Sequence, residues 1–178
     1  MKILKSFAFT TLLLMVIGLN AQNDKDKKII KDANKAKDKL MTMEVGLDNF
    51  FTNSAGYVIF PNVGKGGFIV GGASGNGVVY ENGTMIGMAD LKKLSVGLQA
   101  GGQAITEIIF FETEADLEEF KDGDFEFSAE ASAVALKSGV AVNAKYRDGV
   151  AVFALPKAGL MADASVGGQK FDYKPMIQ

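Results

Sequence analysis

The sequence predicts an α+β fold, a strongly curved antiparallel β-sheet or partial barrel with an N-terminal amphipathic helix and one short helix near residues 113–121. Three observations lead there. The stretch Ala55 to Tyr80, AGYVIFPNVGKGGFIVGGASGNGVVY, threads glycines between short apolar runs. From Asp24 to Gly46, apolar residues recur at helical spacing among many lysines. Asn82-Gly83 and Asp148-Gly149 are two-residue hairpin signals between β-rich runs.

Glycine loses the most backbone freedom on folding and offers no side chain to pack, so its density here needs a cause. Turns at positive φ, bulges that curl a sheet, and close approach of another backbone or a ligand are the available causes, and a curled sheet uses all three. Two nucleotide-site readings of the same stretch fail on chemistry. A phosphate-cradling P-loop needs Ser or Thr after Gly-Lys to hold magnesium, and Gly66 follows Gly64-Lys65. A dinucleotide fingerprint needs a helix after its glycines, and Val78-Val79-Tyr80 follows Gly77.

Composition narrows the chemistry. The 178 residues suit one domain plus an export segment, and 48 % hydrophobic with 22 % charged residues can build a core. There is no cysteine and no histidine, which removes Cys/His zinc sites, disulfides, thiol catalysis and every nucleophilic mechanism with an imidazole base. Net charge is −2, or −4 without Lys2 and Lys5, so no basic footprint for nucleic acid is present. No metal and no cofactor are expected.

In chain order, residues 1–21 read as a signal peptide. Lys2 and Lys5 give the charged region, Phe7 to Leu19 the apolar core, and Asn20-Ala21-Gln22 a cleavage site after Ala21. The apolar run is shorter than the roughly 20 residues of a membrane span. Export to the periplasm or cell exterior is the expectation, and without cysteine the protein is not a lipoprotein.

A helical segment occupies residues 22–54. Ile29, Ala33, Ala36, Leu40, Met43 and Leu47 draw one apolar stripe, and Leu47, Phe50 and Phe51 continue as a short second turn. Lys25, Lys27, Lys28, Lys31, Lys35, Lys37 and Lys39 stand against Asp24, Asp26, Asp32 and Asp38, an excess of three cations. Such a face suits an anionic membrane surface, and equally a helix docked on the body with its charges solvated. Burying the large stripe residues contributes about 1.5–3 kcal/mol each. Three charges near an anionic surface contribute about 3 kcal/mol in all, and salt screens them. Docking is the expected state, with the lysine face still free to touch an acidic surface.

Residues 55–178 read as the glycine-rich β domain, continuous with the helical segment in one domain. Short strands are expected at Val58 to Phe60, Phe68 to Val70, Val78 to Tyr80, Met85-Ile86, Leu94 to Ala100 and Ile105 to Phe111. In the last of these, Ile105, Glu107, Ile109 and Phe111 share one face and Thr106, Ile108 and Phe110 the other, so the strand should be central and covered on both sides. Glu107 among isoleucines is either a functional acid or a rim or satisfied polar residue. Thr113 caps a short helix with Asp116 three residues on, and Asp122-Gly123 ends it. Strands follow at Phe125 to Leu136, Val140 to Tyr146 and Val150 to Leu155, then a break at Pro156-Lys157-Ala158-Gly159, then Leu160 to Val166 and Lys170 to Tyr173.

Taken together, AGYVIFPNVGKGGFIVGGASGNGVVY, SVGLQAGGQAITEIIFF, ADLEEF, FSAEASAVAL and KAGLMADASVGG resemble the SYLF domain family of lipid-binding proteins, over roughly Ala36 to Tyr173. The resemblance implies a non-enzymatic lipid-binding module. Eukaryotic members bind phosphoinositides, partly through a basic N-terminal segment, and some act on actin beside an SH3 domain. Here no SH3 domain follows Tyr173, there is no tryptophan, and Leu136-Lys137-Ser138-Gly139 replaces a Gly-Pro-rich stretch, so actin is not an expected partner.

Anionic lipid or a membrane surface is the implied partner. Lys28, Lys31, Lys35 and Lys39 would be its phosphate-touching cations, and Lys65, flanked by Gly64 and Gly66, would meet an anion beside exposed backbone amides. Solvation is the plain alternative for each. The rival readings are a structural or protein-interaction module with an envelope protein partner, and an enzyme working with Asp, Glu, Lys or Ser alone.

Overall fold

A computed structural model describes residues 24–43, 46–123, 134–135 and 144–176. Helix α1 covers residues 24–43 and α2 Leu47–Asn53; strands β1 (Gly56–Glu81) and β2 (Thr84–Phe111) follow, then α3 (Glu114–Asp122), β3 (Val134–Ala135) and β4 (Val150–Pro175). Among the described residues the sheet order is β1-β2-β4-β3. The long strands pair antiparallel, and β3 meets β4 in a two-residue parallel contact at Phe153 and Ala154. The fold is the α+β curved sheet that the sequence predicts.

The expected short strands are instead parts of two long ones. The glycines between them stay in the extended ladder, for example Gly66 opposite Gly102, and curve it instead of ending it. Asn82-Gly83 turns β1 into β2 with φ 48° and 77°, and Asp148-Gly149 repeats this at 48° and 76°, the two positive values a two-residue hairpin turn demands. Arg147 bridges to Val150 across that second turn, but residues 144–146 are not strand as expected. Residues 1–21, expected as a signal peptide, and most of the strands expected at Phe125 to Leu136 and Val140 to Tyr146 lie outside the described residues.

The curvature can be measured. Phe60 is paired with Glu107 and Phe171 with Leu91, sixteen positions apart on β2. A straight strand would separate them by about 50 Å. The two rings stand 5.9 Å apart, so the strands bend back on themselves. The two ends of β1 meet as a result: Asn82 N–H donates to the Ala55 carbonyl at 3.2 Å, and the Tyr57 and Tyr80 rings stack at 4.8 Å. At Gly77 a Cβ would stand 2.6 Å from the Phe60 ring and 2.8 Å from the Ile59 carbonyl oxygen. Only glycine admits that approach.

Each face of the bent sheet carries its own core. Val58, Phe60, Val63, Val79, Leu91, Ile109 and Phe111 fill the inside of the bend, closed by Leu117 and Phe120 of α3. The Thr113 side chain accepts from Asp116 N–H while the Asp116 carboxylate accepts from Thr113 N–H, and Gly123 ends α3 in the left-handed conformation. On the other face Tyr57, Ile59, Val78, Tyr80, Ile108 and Phe110 pack under α1 and α2. The central strand is thus covered on both sides, as its doubly apolar pattern requires.

Helix α1 docks through Ala33, Ala36 and Leu40, with Ile29 partly buried. The stripe stops there. Met43 is 49 % exposed, and Leu47 belongs to α2, entered through Gly46 at φ 103°. That turn swings Leu47 and Phe50 onto the sheet, where Phe50 meets Phe110 at 5.4 Å and Phe153 at 5.1 Å. Lys37 also faces inward. Its ammonium lies 5.1, 5.0 and 5.9 Å from the Phe51, Tyr57 and Tyr80 rings and donates to the Tyr57 hydroxyl at 2.7 Å.

Replacing Gly77 by alanine should cost about 1–3 kcal/mol, because backbone lies on one side of the new methyl and a buried ring on the other. Gly64→Ala, with nothing within 4 Å, should change stability by no more than about 0.5–1 kcal/mol. Denaturant unfolding of both variants compares them directly; equal losses would mean that the crossing does not control the fold.

Candidate functional site

Bulges build the site. On one flank of β2, Pro61 and Asn62 together oppose Thr106, between the pairs Phe60–Glu107 and Val63–Ile105. On the other flank, Lys157 is the extra residue of β4, between the pairs Ala104–Ala158 and Ile105–Pro156. The expected break at Pro156 to Gly159 is therefore a bulge within a continuous strand. Proline cannot donate to a ladder and is admitted at such places, and a bulge re-aims the side chains beside it. Here Asn62 and Lys157 reach each other over the central strand, with Lys157 Nζ donating to Asn62 Oδ1 at 3.0 Å. Beneath them the buried Thr106 hydroxyl donates to the Pro61 carbonyl at 3.1 Å and holds the first bulge in shape.

These residues and α1 enclose a cleft of about 240 Å³. It is lined by Asp32, Lys35, Ala36, Lys39 and Leu40 of the helix, Asn62 and Thr106 of the hairpin, and Leu155 and Lys157 of β4. Asp32 accepts from Lys28 Nζ at 2.8 Å and, at 3.5 Å, from Asn62 Nδ2. The Lys28 bond holds the Asp32 carboxyl below its ordinary range, and Lys35 and Lys157 add to this. Lys157 moves the other way. Partial burial pushes its ammonium down, Asp32 opposes this, and the positive charges of Lys39 and Lys28 add to the depression.

The candidate lysines thus separate into groups. Lys35 and Lys39 line the cleft with Lys157, Lys28 is paired with Asp32 at its edge, and Lys31 is exposed on the same helix. Lys65 is elsewhere. It is paired with Gln103 two positions beyond the Val63–Ile105 pair, so it points to the face opposite α1 and joins no cluster with the helix lysines. Sequence reasoning missed Lys157 and Asn62. The signal was present in Pro61-Asn62 and Pro156-Lys157, each a proline inside an otherwise strand-like run.

Glu107 is not on a rim, and one of its two carboxyl oxygens goes unmatched. It is 1 % exposed on the α3 side of the sheet, and its Oε1 has no hydrogen-bond partner among the described residues. Burial raises its carboxyl above the ordinary value, and the charges of Lys65 and Lys93 offset part of that rise. Among the described residues, no three Asp or Glu side chains gather as a metal ion would require. The cleft offers three lysines, the Asp32 carboxylate, an amide, the Thr106 hydroxyl and an apolar wall, a lining whose excess of cations suits an anion.

Comparison with known proteins finds similarity in the C-terminal half. Residues 92–174 match the Ysc84 family model, described as Las17-binding protein actin regulator. "Beta cell expansion factor A" of Aeromonas veronii is 32 % identical over 83 residues. That alignment covers 46 % of this chain and 32 % of the relative, so the chain spans about a third of the relative's length.

The raised Glu107 carboxyl has a definite sign. The folded state holds its proton more tightly than the unfolded chain, so the stabilisation is complete below the unfolded value, about pH 4, and is lost as pH rises through the folded one. Glu107→Gln should flatten this slope, gaining on the parent protein between about pH 4 and neutral in thermal melts. Parallel pH profiles of the two would refute the assignment.

Proposed function

We propose that this protein, whose residues 92–174 match the Ysc84 (SYLF) family model, is a non-enzymatic module that associates with anionic lipid or membrane surfaces. The observation that carries the reading is how α1 docks. Its apolar stripe is consumed by the sheet, and Lys28, Lys31, Lys35 and Lys39, spaced three, four and four, stay on the exposed side. One more helical step reaches Met43, and Met43 and Met41 are 49 % and 46 % exposed. A cationic row ending in exposed thioethers suits a headgroup layer with an apolar edge beneath it.

A rigid support favours the same reading. The helix is pinned by Lys37 on its aromatic cage and by the Tyr80 hydroxyl donating to Asn34 Oδ1 at 3.1 Å, so only the lysine side chains, and not the helix that carries them, need ordering on binding. Burial, then the neighbouring Tyr57, pushes the Tyr80 phenol up to about 12, which keeps this donor protonated. The charged and apolar N-terminal pattern, Lys2 and Lys5 before Phe7 to Leu19, supports placing the protein outside the cytoplasm, at an envelope surface. The rival reading is a protein-interaction module of the envelope, in keeping with the family description as a Las17-binding protein.

Vesicle co-sedimentation separates the two. Binding should rise with anionic lipid content, weaken with salt, and fall on the order of a hundredfold when Lys28, Lys31, Lys35 and Lys39 all become glutamine, at about 1 kcal/mol per charge less the share of Lys28 already held by Asp32. Binding indifferent to those four substitutions, or absent on every vesicle, would favour the protein partner.

A further inference from the structure

We propose that the cleft between α1 and the two bulges is a binding site for a phosphate monoester, held by Lys35, Lys39 and Lys157, with Asn62 as the neutral contact. It deepens the surface reading where the phosphate belongs to a lipid headgroup, and stands apart from it where the phosphate is a small soluble ester. The charge arithmetic selects the ligand. The one carboxylate in the lining, Asp32, is already matched by Lys28 at 2.8 Å, which leaves the charges of three lining lysines without a matching carboxylate in the cleft. A monoester carries close to two negative charges above about pH 6, and a diester carries one.

Size and geometry agree with this choice. A volume of about 240 Å³ lies below the 300–1,000 Å³ usual for drug-sized ligands, so it suits a phosphate and its nearest ester carbons and is too small to take in a whole lipid. The apolar part of the wall, Ala36, Leu40 and Leu155, borders the space those carbons would take. Among the described residues the hydrogen-bond acceptor of Lys157 is the Asn62 amide at 3.0 Å, while burial and the positive charges of Lys39 and Lys28 push its ammonium down. An anion between these lysines reverses the repulsion. Two bulges at the same level of β2, on opposite flanks, serve no pairing purpose that one would not, and both aim a polar side chain here.

Calorimetric titration of the purified protein with inorganic phosphate and with glycerol 3-phosphate at low salt tests the site. Saturable binding of one equivalent is expected, stronger at pH 7.5 than at pH 5, and about tenfold or more weaker for dimethyl phosphate. Lys157→Gln on the strand, and separately Lys35→Gln with Lys39→Gln on the helix, should each weaken phosphate at least about tenfold, while Lys170→Gln, exposed elsewhere on β4, should not. Vesicles then identify the source. A preference for phosphatidic acid over phosphatidylglycerol at matched surface charge, lost in Lys157→Gln, assigns a lipid headgroup; phosphate binding without that preference assigns a soluble ester. Absence of saturable phosphate binding, or equal behaviour of Lys157→Gln and Lys170→Gln, overturns the site. In that event salt-sensitive vesicle binding through the α1 row would still stand, and its separate loss would remove the surface reading as well.

Discussion

The close passage of β1 over itself, with Gly77 against the Ile59 carbonyl and the Phe60 ring, is the constraint on which the structure rests. A sheet of three long strands left open would expose two broad apolar faces and a long unpaired edge. Bending the strands until the ends of β1 adjoin turns one face inward and brings Phe60 within 5.9 Å of Phe171. Helix α3 can then close that inner core with Leu117 and Phe120, two side chains that a flat sheet would leave against open solvent.

The outer face inherits a different task. The Tyr57–Tyr80 stack forms only because the strand ends meet, and it is this stack, with Phe51, that receives the Lys37 ammonium of α1. An inward lysine on an otherwise cationic helix sets the rotation of that helix about its axis. Ala33, Ala36 and Leu40 go down, and the row from Lys28 to Lys39 stays exposed, with Lys35 and Lys39 at the mouth of the cleft. The bend therefore determines, through an aromatic pair and one cation, which face of α1 is offered to a partner.

Local chemistry was legible in the residues. Asn82-Gly83, Asp148-Gly149 and the Thr113 to Asp116 box were read correctly because each depends on neighbours within four positions: positive φ at two consecutive residues, or an oxygen in reach of its own helix start. The double-sided character of Ile105 to Phe111 was legible for the same reason, since alternation alone assigns the faces. Misreadings arose where a residue has two uses. Glycines at 64, 66 and 102 and the prolines at 61 and 156 are ordinary strand breakers in isolation, yet they sit inside continuous ladders, as curvature in the first case and as bulges in the second. Lys65, expected to meet an anion beside the amides of Gly64 and Gly66, is sent by the strand's parity to the face opposite α1, which alternation alone could not show without the register.

By itself, then, the sequence determined the fold class, the hairpin turns, the caps, the docking stripe of α1 and the absence of histidine and thiol chemistry, all of them matters of composition or short-range periodicity. Only the tertiary structure decided which cations stand together. Lys157 lies 118 positions from Lys39 and meets it at one cleft because two bulges, each an extra residue on a different strand, turn their side chains toward the same stretch of helix. No local pattern encodes that meeting, since it depends on the register of three strands and on the bend that places α1 above them.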